Sequence, residues 1–438
     1  MKRVLPHIGV LALAVALICW FFIENCIILG VVIVDIFLQF CGIGRIPSPP
    51  RRLHRLNIDK SAISVAGLSA GADMAAQLQL AYSSIFAGAA IFAGQAPHCA
   101  AIRFPNDVLI RGSSPRCESC PDGMTVKMDH CKNDVNLRVD EHVHTLMLPH
   151  ARAAAAAGLY DSLSHLKRRR IFIFRGTRDS AYPAVTVNAS AAFFRAVGTP
   201  SAVHEVVSVD VHHALPSVNR RYCDGEGWAA CNWDGAAEAL RWIYGAGSLS
   251  NGRDEDMNLS SVSTLRGRLQ SFDQRPFSVS GHVHNGLADW GLLFTPDNCW
   301  HGAPDHIANS RTPGCKLVVF LHGCSFPRPS SVHEAIALHG GFNDWAVRNR
   351  IVVLYPRMGR SGHSLHEKLG CWDSYGTYYG GAYDTMGAKA YDERDAPLMK
   401  AIYNMVATIA GLKLRNTPNH RSAATATSRR DSNKPQAE

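Results

Sequence analysis

One short stretch constrains the fold of this chain more than any other: Gly67-Leu-Ser-Ala-Gly71 lies between an apolar run and a helix-forming run. Ile63 to Ala66 predicts a short buried strand, and the composition from Ala70 onward favours a helix. A G-x-S-x-G pattern between a strand and a helix is typical of a nucleophile elbow, a sharp turn that exposes a serine hydroxyl above a sheet. The helix that begins there directs its N–H groups and positive dipole end at the same point.

Two more strands in the first half of the chain end in polar residues. The first, Arg170 to Arg175, runs into the turn Gly176-Thr-Arg-Asp179. The second, Val203 to Val209, is followed by Asp210-Val-His-His-Ala-Leu-Pro216. Serine, aspartate and histidine at successive strand ends, in that order, form the α/β-hydrolase arrangement.

This order predicts a catalytic triad. Ser69 is the expected nucleophile, Asp179 the orienting acid and His213 the base, with the neighbouring His212 as the alternative base. A serine hydroxyl is a weak nucleophile until an imidazole takes its proton, and the carboxylate fixes the tautomer of that imidazole.

The strands that should precede an elbow strand are placed late in the chain. Lys316 to Cys324 predicts a buried strand that runs into a His-Gly loop, typical of an oxyanion loop, and Ile351 to Pro356 predicts a second buried strand. We therefore predict an α/β-hydrolase fold that is circularly permuted, with a mostly parallel sheet and helices on both faces.

Composition shifts divide the 438 residues into segments. We expect a signal sequence or membrane anchor over 1–43, because Lys2 and Arg3 precede apolar runs within 8–40. A signal sequence would give a secreted catalytic domain, and an anchor would give a catalytic domain held on the lumenal or extracellular side of a membrane. A Pro- and Arg-rich spacer (44–55), the catalytic domain (56–412) and a disordered tail (413–438) follow. The catalytic domain consists of an elbow, acid and base half (56–247), a linker (248–285) and an oxyanion-loop half (286–412).

The net charge of +9 does not indicate nucleic-acid binding, because the one internal basic run, 167–170, is typical of a solvated helix end. Thirteen cysteines include three in the leader, and the ten that remain predict disulfides in an exported chain. Cys117-x-x-Cys120 with His130-Cys131 is the alternative, a zinc site, but its spacing fits no strong template. We expect neither a metal nor a cofactor. Asn188 and Asn258 begin glycosylation sequons.

The permuted order and its motifs resemble the single-domain, circularly permuted polyhydroxybutyrate depolymerases of the fungal extracellular type. The matching segments run in order along residues 56 to 412: 67–71, 92–94 with Cys99, 176–179, 213–216, 231–236, 321–324, 342–346, 353–356 and 370–373. The chain departs from the family in a leader that can be an anchor, and it shows no separate polymer-adsorbing domain.

The resemblance implies further site residues. The oxyanion hole is expected at the N–H groups of Ala70 and Cys324, and Trp372 is expected to line the acyl pocket. Core packing is the alternative role for Trp372. Three disulfides are expected, namely Cys324–Cys371, Cys299–Cys315 and Cys223–Cys231.

The resemblance also implies an activity. We expect a monomeric serine esterase that hydrolyses poly(3-hydroxybutyrate) or short hydroxyalkanoate oligomers through an acyl-enzyme. A feruloyl or acetyl carbohydrate esterase is the alternative among enzymes, since the same fold and triad serve both. A non-catalytic surface protein on the same fold is the alternative outside enzymes.

Overall fold

The computed structural model describes residues 51–97, 99, 137–218, 227–230, 233–249, 267–278, 286–300, 313–324, 329–360, 368–375 and 391–415. Its strands are β1 Ile58–Leu68, β2 Gly88–Phe92, β3 Arg170–Phe174, β4 Val203–Val206, β5 Ala214–Ser217, β6 Gly227–Ala230, β7 Gly267–Asp273, β8 Trp290–Pro296, β9 Cys315–Leu321 and β10 Ile351–Tyr355. Its helices of eight or more residues are α1 Ala70–Ala81, α2 Leu148–Ala156, α3 Ala184–Val197, α4 Gly235–Tyr244, α5 Pro329–His339, α6 Phe342–Asn349 and α7 Pro397–Ala410.

The elbow strand β1 lies in the interior of an eight-stranded sheet with the order β4-β3-β2-β1-β9-β10-β8-β7. It pairs in parallel with β2 on one side and with β9 on the other. The strands that follow β1 directly in the chain therefore form one half of the sheet, and strands from the far end of the chain form the other. This is the permuted, mostly parallel arrangement that the sequence predicts; the antiparallel pairs are β10–β8 and β8–β7.

Alternating side chains of the sheet enter two separate cores. Val65 and Leu317 belong to one, whereas their neighbours Ala66 and Val318 belong to the other. Helices α1, α2, α3 and α7 cover the first core, here called the α1 face, while α4, α5 and α6 cover the second, the α4 face. Burial on both faces explains why these strands are continuous apolar runs rather than alternating ones.

The sequence does not predict several of the elements, among them helix α5. Helix α3, strand β8 and the small parallel sheet of β5 and β6 are further examples. Strand β4 also ends at Val206, earlier than expected. Beyond it the chain leaves the sheet but keeps contact with the turn after β3, because the carbonyl of Val209 accepts from Thr177 N at 2.9 Å. This contact brings the segment that carries His213 beside the turn that carries Asp179.

The proposed leader, residues 1–43, lies outside the described residues, as do part of the spacer, much of the linker and most of the tail. Within the described ranges, every helix is too short or too polar to cross a bilayer. The predicted segment boundaries stay predictions.

Candidate active site

Ser69 occupies a strained turn between β1 and α1. Its φ of 59° and ψ of −129° are unusual for a residue with a side chain. Two glycines permit the turn: a Cβ at Gly67 would lie 2.1 Å from the carbonyl oxygen of Gly71, and one at Gly71 would lie 2.2 Å from that of Leu321. The Ser69 amide is fixed by donating to the carbonyl of Phe92 at 2.9 Å. The backbone thus has the form of the predicted nucleophile elbow.

Asp179 and His213 form a hydrogen-bonded pair, and they lie in the segments that follow the neighbouring strands β3 and β4. Oδ2 of Asp179 lies 2.9 Å from Nδ1 of His213, and Oδ1 accepts from the amides of Ala181 (2.8 Å) and Tyr182 (2.9 Å). Burial by itself would raise the pKa of Asp179, but the hydrogen bonds from His213 and from these amides outweigh it and lower the pKa below its ordinary value. Asp179 is therefore a carboxylate that accepts from the imidazole.

The structure distinguishes the two adjacent histidines. The side chain of His213 is 21% exposed and faces Asp179, whereas His212 is exposed to solvent. Gly176 lets the turn that carries Asp179 approach the segment that carries His213 closely, since a Cβ at this glycine would lie 2.2 Å from the carbonyl oxygen of Val211. The geometry thus gives His213 the carboxylate partner that a base needs.

Tyr182 connects this pair with the elbow. Its ring stacks on the His213 imidazole, with 5.4 Å between the ring centroids and 6° between the planes. Its hydroxyl donates to Oδ2 of Asp73 at 2.8 Å. The pKa of that hydroxyl is raised well above its ordinary value by burial and then by the Asp73 charge, while a hydrogen-bonding contact with the Ser69 side chain lowers it in part.

The predicted triad is not closed on its serine side in the described structure. Among the hydrogen bonds of the described residues, none joins Ser69 Oγ to His213. Such contacts are commonly loose in a free enzyme and tighten when the substrate binds.

The oxyanion loop after β9 lies directly against Ser69. A Cβ at Gly323 would be 3.1 Å from the Cβ of Ser69. His322 supports the loop, because its Nδ1–H donates to the Gly323 carbonyl at 2.6 Å while its Nε2 accepts from the Met358 amide at 3.1 Å. Burial lowers the pKa of His322 to about 4, although the bond to Gly323 opposes the shift. His322 is therefore a neutral imidazole with both ring nitrogens engaged.

Two backbone regions can supply oxyanion donors. The carbonyl of Ser69 accepts from the amides of Ala72 (2.8 Å) and Asp73 (3.0 Å), which leaves the Ala70 N–H at the start of α1 without an intrahelical acceptor. Cys324 follows Gly323 in the loop and is bonded to Cys371. The disulfide ties the oxyanion loop to the segment that carries Trp372.

Two known proteins that are similar to this chain in sequence have closely related names. The chain is 27% identical over 387 residues to "Poly(3-hydroxybutyrate) depolymerase" of Delftia acidovorans, covering 87% of this chain and 66% of that protein. It is also 27% identical over 352 residues to "Polyhydroxybutyrate depolymerase" of Talaromyces funiculosus, covering 76% of this chain and 88% of the relative. Over most of its length the chain is similar to two proteins named as polyhydroxybutyrate depolymerases. It spans just under two thirds of the length of the Delftia protein, and no protein-family model matches it.

Two solved structures of PHB depolymerases have a fold similar to that of this chain. A PHB depolymerase variant complexed with an R3HB trimer superposes with a TM-score of 0.61 at 25% identity, covering 83% of this chain and 100% of that one. The crystal structure of PHB depolymerase from Penicillium funiculosum gives a TM-score of 0.59 at 26% identity, with the same coverage. The resemblance that the motifs carry and the predicted fold are thus both confirmed.

Trp372 is less accessible than its expected role in a depolymerase pocket suggests. Its side chain is fully buried in the core of the α1 face, with its ring 5.7 Å from that of His322. The described part of the structure gives its Nε1–H no hydrogen-bond partner. Its role in acyl binding stays a prediction.

The structure describes some of the remaining predicted cysteines and glycosylation sequons but not others. Cys299 and Cys315 form the expected disulfide. Asn188 is exposed on α3, but Ser190 of its sequon is buried. Several predicted residues lie outside the described ones, namely Cys117, Cys120, His130, Cys131, Cys223, Cys231 and Asn258.

Sequence reasoning missed Asp73 and Tyr182. Asp73 lies one helical turn after Ser69, and Tyr182 lies three residues after Asp179. A carboxylate on the buried face of the elbow helix was the available signal, since a buried charge requires polar partners.

Proposed function

We propose that this chain is a serine esterase that hydrolyses poly(3-hydroxybutyrate) or short hydroxyalkanoate oligomers through an acyl-enzyme. The observation that carries the proposal is the Asp179–His213 pair beside a serine elbow, in a chain homologous to proteins named as depolymerases of this polymer. The complex of a related depolymerase with an R3HB trimer supports an oligoester as the substrate class.

In the first half of the proposed reaction, Ser69 Oγ attacks the ester carbonyl while Nε2 of His213 takes its proton. The charge that forms on the carbonyl oxygen is stabilised by the N–H groups of Ala70 and Cys324. Collapse of the tetrahedral intermediate breaks the ester C–O bond. The leaving hydroxyl oxygen of the next unit receives the proton from His213, and the acyl group stays on Ser69.

In the second half, water attacks the acyl-enzyme and gives a proton to His213. The bond between Ser69 Oγ and the acyl carbon breaks, and the proton returns to Ser69. Asp179 stays ionised throughout, because its hydrogen bonds keep its pKa low. It holds His213 with Nδ1 protonated, so that Nε2 faces the serine.

The test is an ester panel. Purified chain is assayed on hydroxybutyrate trimer, on poly(3-hydroxybutyrate) suspension, and on methyl ferulate and acetylated xylan, with Ser69→Ala as the control. We expect trimer hydrolysis well above hydrolysis of the other small esters. Preference for ferulate or acetyl esters would favour the carbohydrate esterase. Absence of hydrolysis and of fluorophosphonate labelling would favour a non-catalytic protein.

The place of action is part of the proposal. An apolar leader and the disulfides Cys324–Cys371 and Cys299–Cys315 support export to an oxidising compartment. Expression of the full chain in a secreting host, followed by N-terminal sequencing, tests it. A cleaved, extracellular product is the expected result for a signal sequence, and a full-length membrane-bound product is the result for an anchor.

A further inference from the structure

We infer that Tyr182, anchored by Asp73, is a positioning residue that sets the plane of the His213 imidazole relative to Ser69. The inference rests on the proposed function, because it deepens the account of the same site. Neither residue belongs to the predicted triad, oxyanion hole or acyl pocket.

Asp179 alone does not fix the orientation of His213. One hydrogen bond, 2.9 Å from Asp179 Oδ2 to Nδ1, restrains the imidazole at Nδ1 only, so rotation about the side-chain torsions can still tilt the plane of the ring. Such rotation swings Nε2 away from the serine. A second contact with the face of the ring is needed to stop it, and the stacked ring of Tyr182 provides that contact.

Tyr182 is itself held at several points. Its amide donates to Asp179 at 2.9 Å, its carbonyl accepts from Arg175 Nε at 2.8 Å, and its hydroxyl donates to Asp73 at 2.8 Å. The side chain is also fully buried. A ring held at both its backbone and its hydroxyl is a rigid surface for the imidazole to pack against.

Asp73 belongs to α1, the helix that begins at the elbow. It lies one turn after Ser69, its own amide donates to the Ser69 carbonyl at 3.0 Å, and its Oδ1 accepts from the Gln95 amide at 2.8 Å. The Asp73–Tyr182 hydrogen bond therefore links the helix that carries the nucleophile with the loop that carries the acid, and through the stacked ring with the base. A shift of either element would change the distance between Ser69 and His213.

The test compares three variants with a matched control. Tyr182→Phe keeps the stacked ring and loses the hydroxyl contacts with both Asp73 and Ser69. Asp73→Ala removes the anchor but keeps the hydroxyl beside Ser69, so it separates positioning from the direct Ser69 contact. Tyr182→Leu loses both the ring and the anchor. The control is Tyr355→Phe, since Tyr355 is a buried tyrosine on the α4 face whose hydroxyl donates to Asn343 at 2.8 Å. Each protein is measured for kcat and KM on hydroxybutyrate trimer and for its melting temperature.

Misplacement of a reacting group by a fraction of an ångström to 1 Å costs up to about a hundredfold in rate. We expect kcat to fall about tenfold in Tyr182→Phe and Asp73→Ala and about a hundredfold in Tyr182→Leu, with KM within about twofold. The double variant Tyr182→Phe/Asp73→Ala should match the single ones, because the two residues act as a unit. The control should lose melting temperature but keep kcat. A merely structural role predicts that all the variants behave like the control.

A second readout does not depend on activity. In protein labelled at histidine, the Nδ1–H proton of His213 should give a low-field NMR resonance that broadens in Tyr182→Leu, as the freed imidazole exchanges its proton faster. Unchanged kcat and an unchanged resonance in a folded variant would overturn the inference. If the native chain hydrolyses no ester, the proposed function fails and the resonance alone decides the role of Tyr182. If Tyr182→Leu does not fold, Tyr182→Phe gives the decision.

Discussion

His213 and His322 lie in the two halves of the candidate site, and their surroundings give them opposite roles. His213 is partly exposed and its Nδ1 faces the Asp179 carboxylate. His322 is buried, with Nδ1 on the Gly323 carbonyl and Nε2 on the Met358 amide. A carboxylate stabilises the imidazolium that forms during proton transfer, whereas burial between backbone groups opposes it. Two histidines in segments that follow strands of one sheet thus differ by their partners: one can move a proton and the other holds a loop.

Removal of Ser69 or His213, the proposed nucleophile and base, should have the largest effect. Ser69→Ala and His213→Ala should each lower kcat on hydroxybutyrate trimer by several orders of magnitude with folding kept, because triad members act as a unit. His212→Ala should change kcat by no more than about twofold, since the His212 side chain is exposed and the Asp179 carboxylate faces His213 instead. Steady-state kinetics and circular dichroism check all three. A larger loss in His212→Ala than in His213→Ala would reassign the base.

The disulfide of the oxyanion half should have the next largest effect. Cys324–Cys371 joins residues 47 apart, so its loss should cost on the order of 4 kcal/mol in the free energy of unfolding. It also holds the Cys324 N–H, a proposed oxyanion donor, and misplacing one such donor costs about a hundredfold in kcat. We therefore expect Cys371→Ser to lower both quantities, as measured by denaturant unfolding and kinetics.

The matched control is the second disulfide, Cys299–Cys315, which joins residues 16 apart at the start of β9. Cys299→Ser should lower the free energy of unfolding by about 3 kcal/mol and leave kcat unchanged. Equal losses of kcat in both variants would mean that the Cys324–Cys371 bond acts through stability alone.

The smallest effect concerns the pH dependence of stability. The pKa of His322 is about 4 in the folded chain and near 6.5 when unfolded, so the unfolded state binds more protons between these values. Stability should therefore rise with pH through this window and fall as pH drops from 6.5 toward 4, by about 3 kcal/mol from this residue. His322→Gln should reduce the loss, as measured by urea unfolding at pH 7 and pH 4.5. An unchanged difference between the two pH values would show that His322 does not stay neutral in the fold.

The sequence was sufficient for the parts of the molecule that local chemistry fixes. The glycines around Ser69, the apolar run before Asp179 and the late His-Gly loop each carry a local signal, and their order in the chain implies the permuted sheet. Contacts between distant segments carry no such signal. The Asp73–Tyr182 bond joins residues 109 apart, and it exists because α1 and the turn after β3 meet at the same edge of the sheet.

Strand β8 is a second feature that depends on distant contacts and has no clear local signal in the sequence. Its core is the short run Leu292-Leu-Phe294, with Gly291 before it and Pro296 at its end. Such a short run does not distinguish a strand from a loop. It becomes a strand because it pairs with both β7 and β10.

Covalent labelling tests the central claim, that Ser69 is the nucleophile of an esterase, most directly. The purified chain is treated with a fluorophosphonate, digested and analysed by peptide mass spectrometry, in parallel with Ser69→Ala. The account predicts one adduct, on Ser69, whose formation parallels the loss of trimer hydrolysis and which is absent from the variant. An adduct on another residue that abolishes activity, or full trimer hydrolysis by Ser69→Ala, would contradict it.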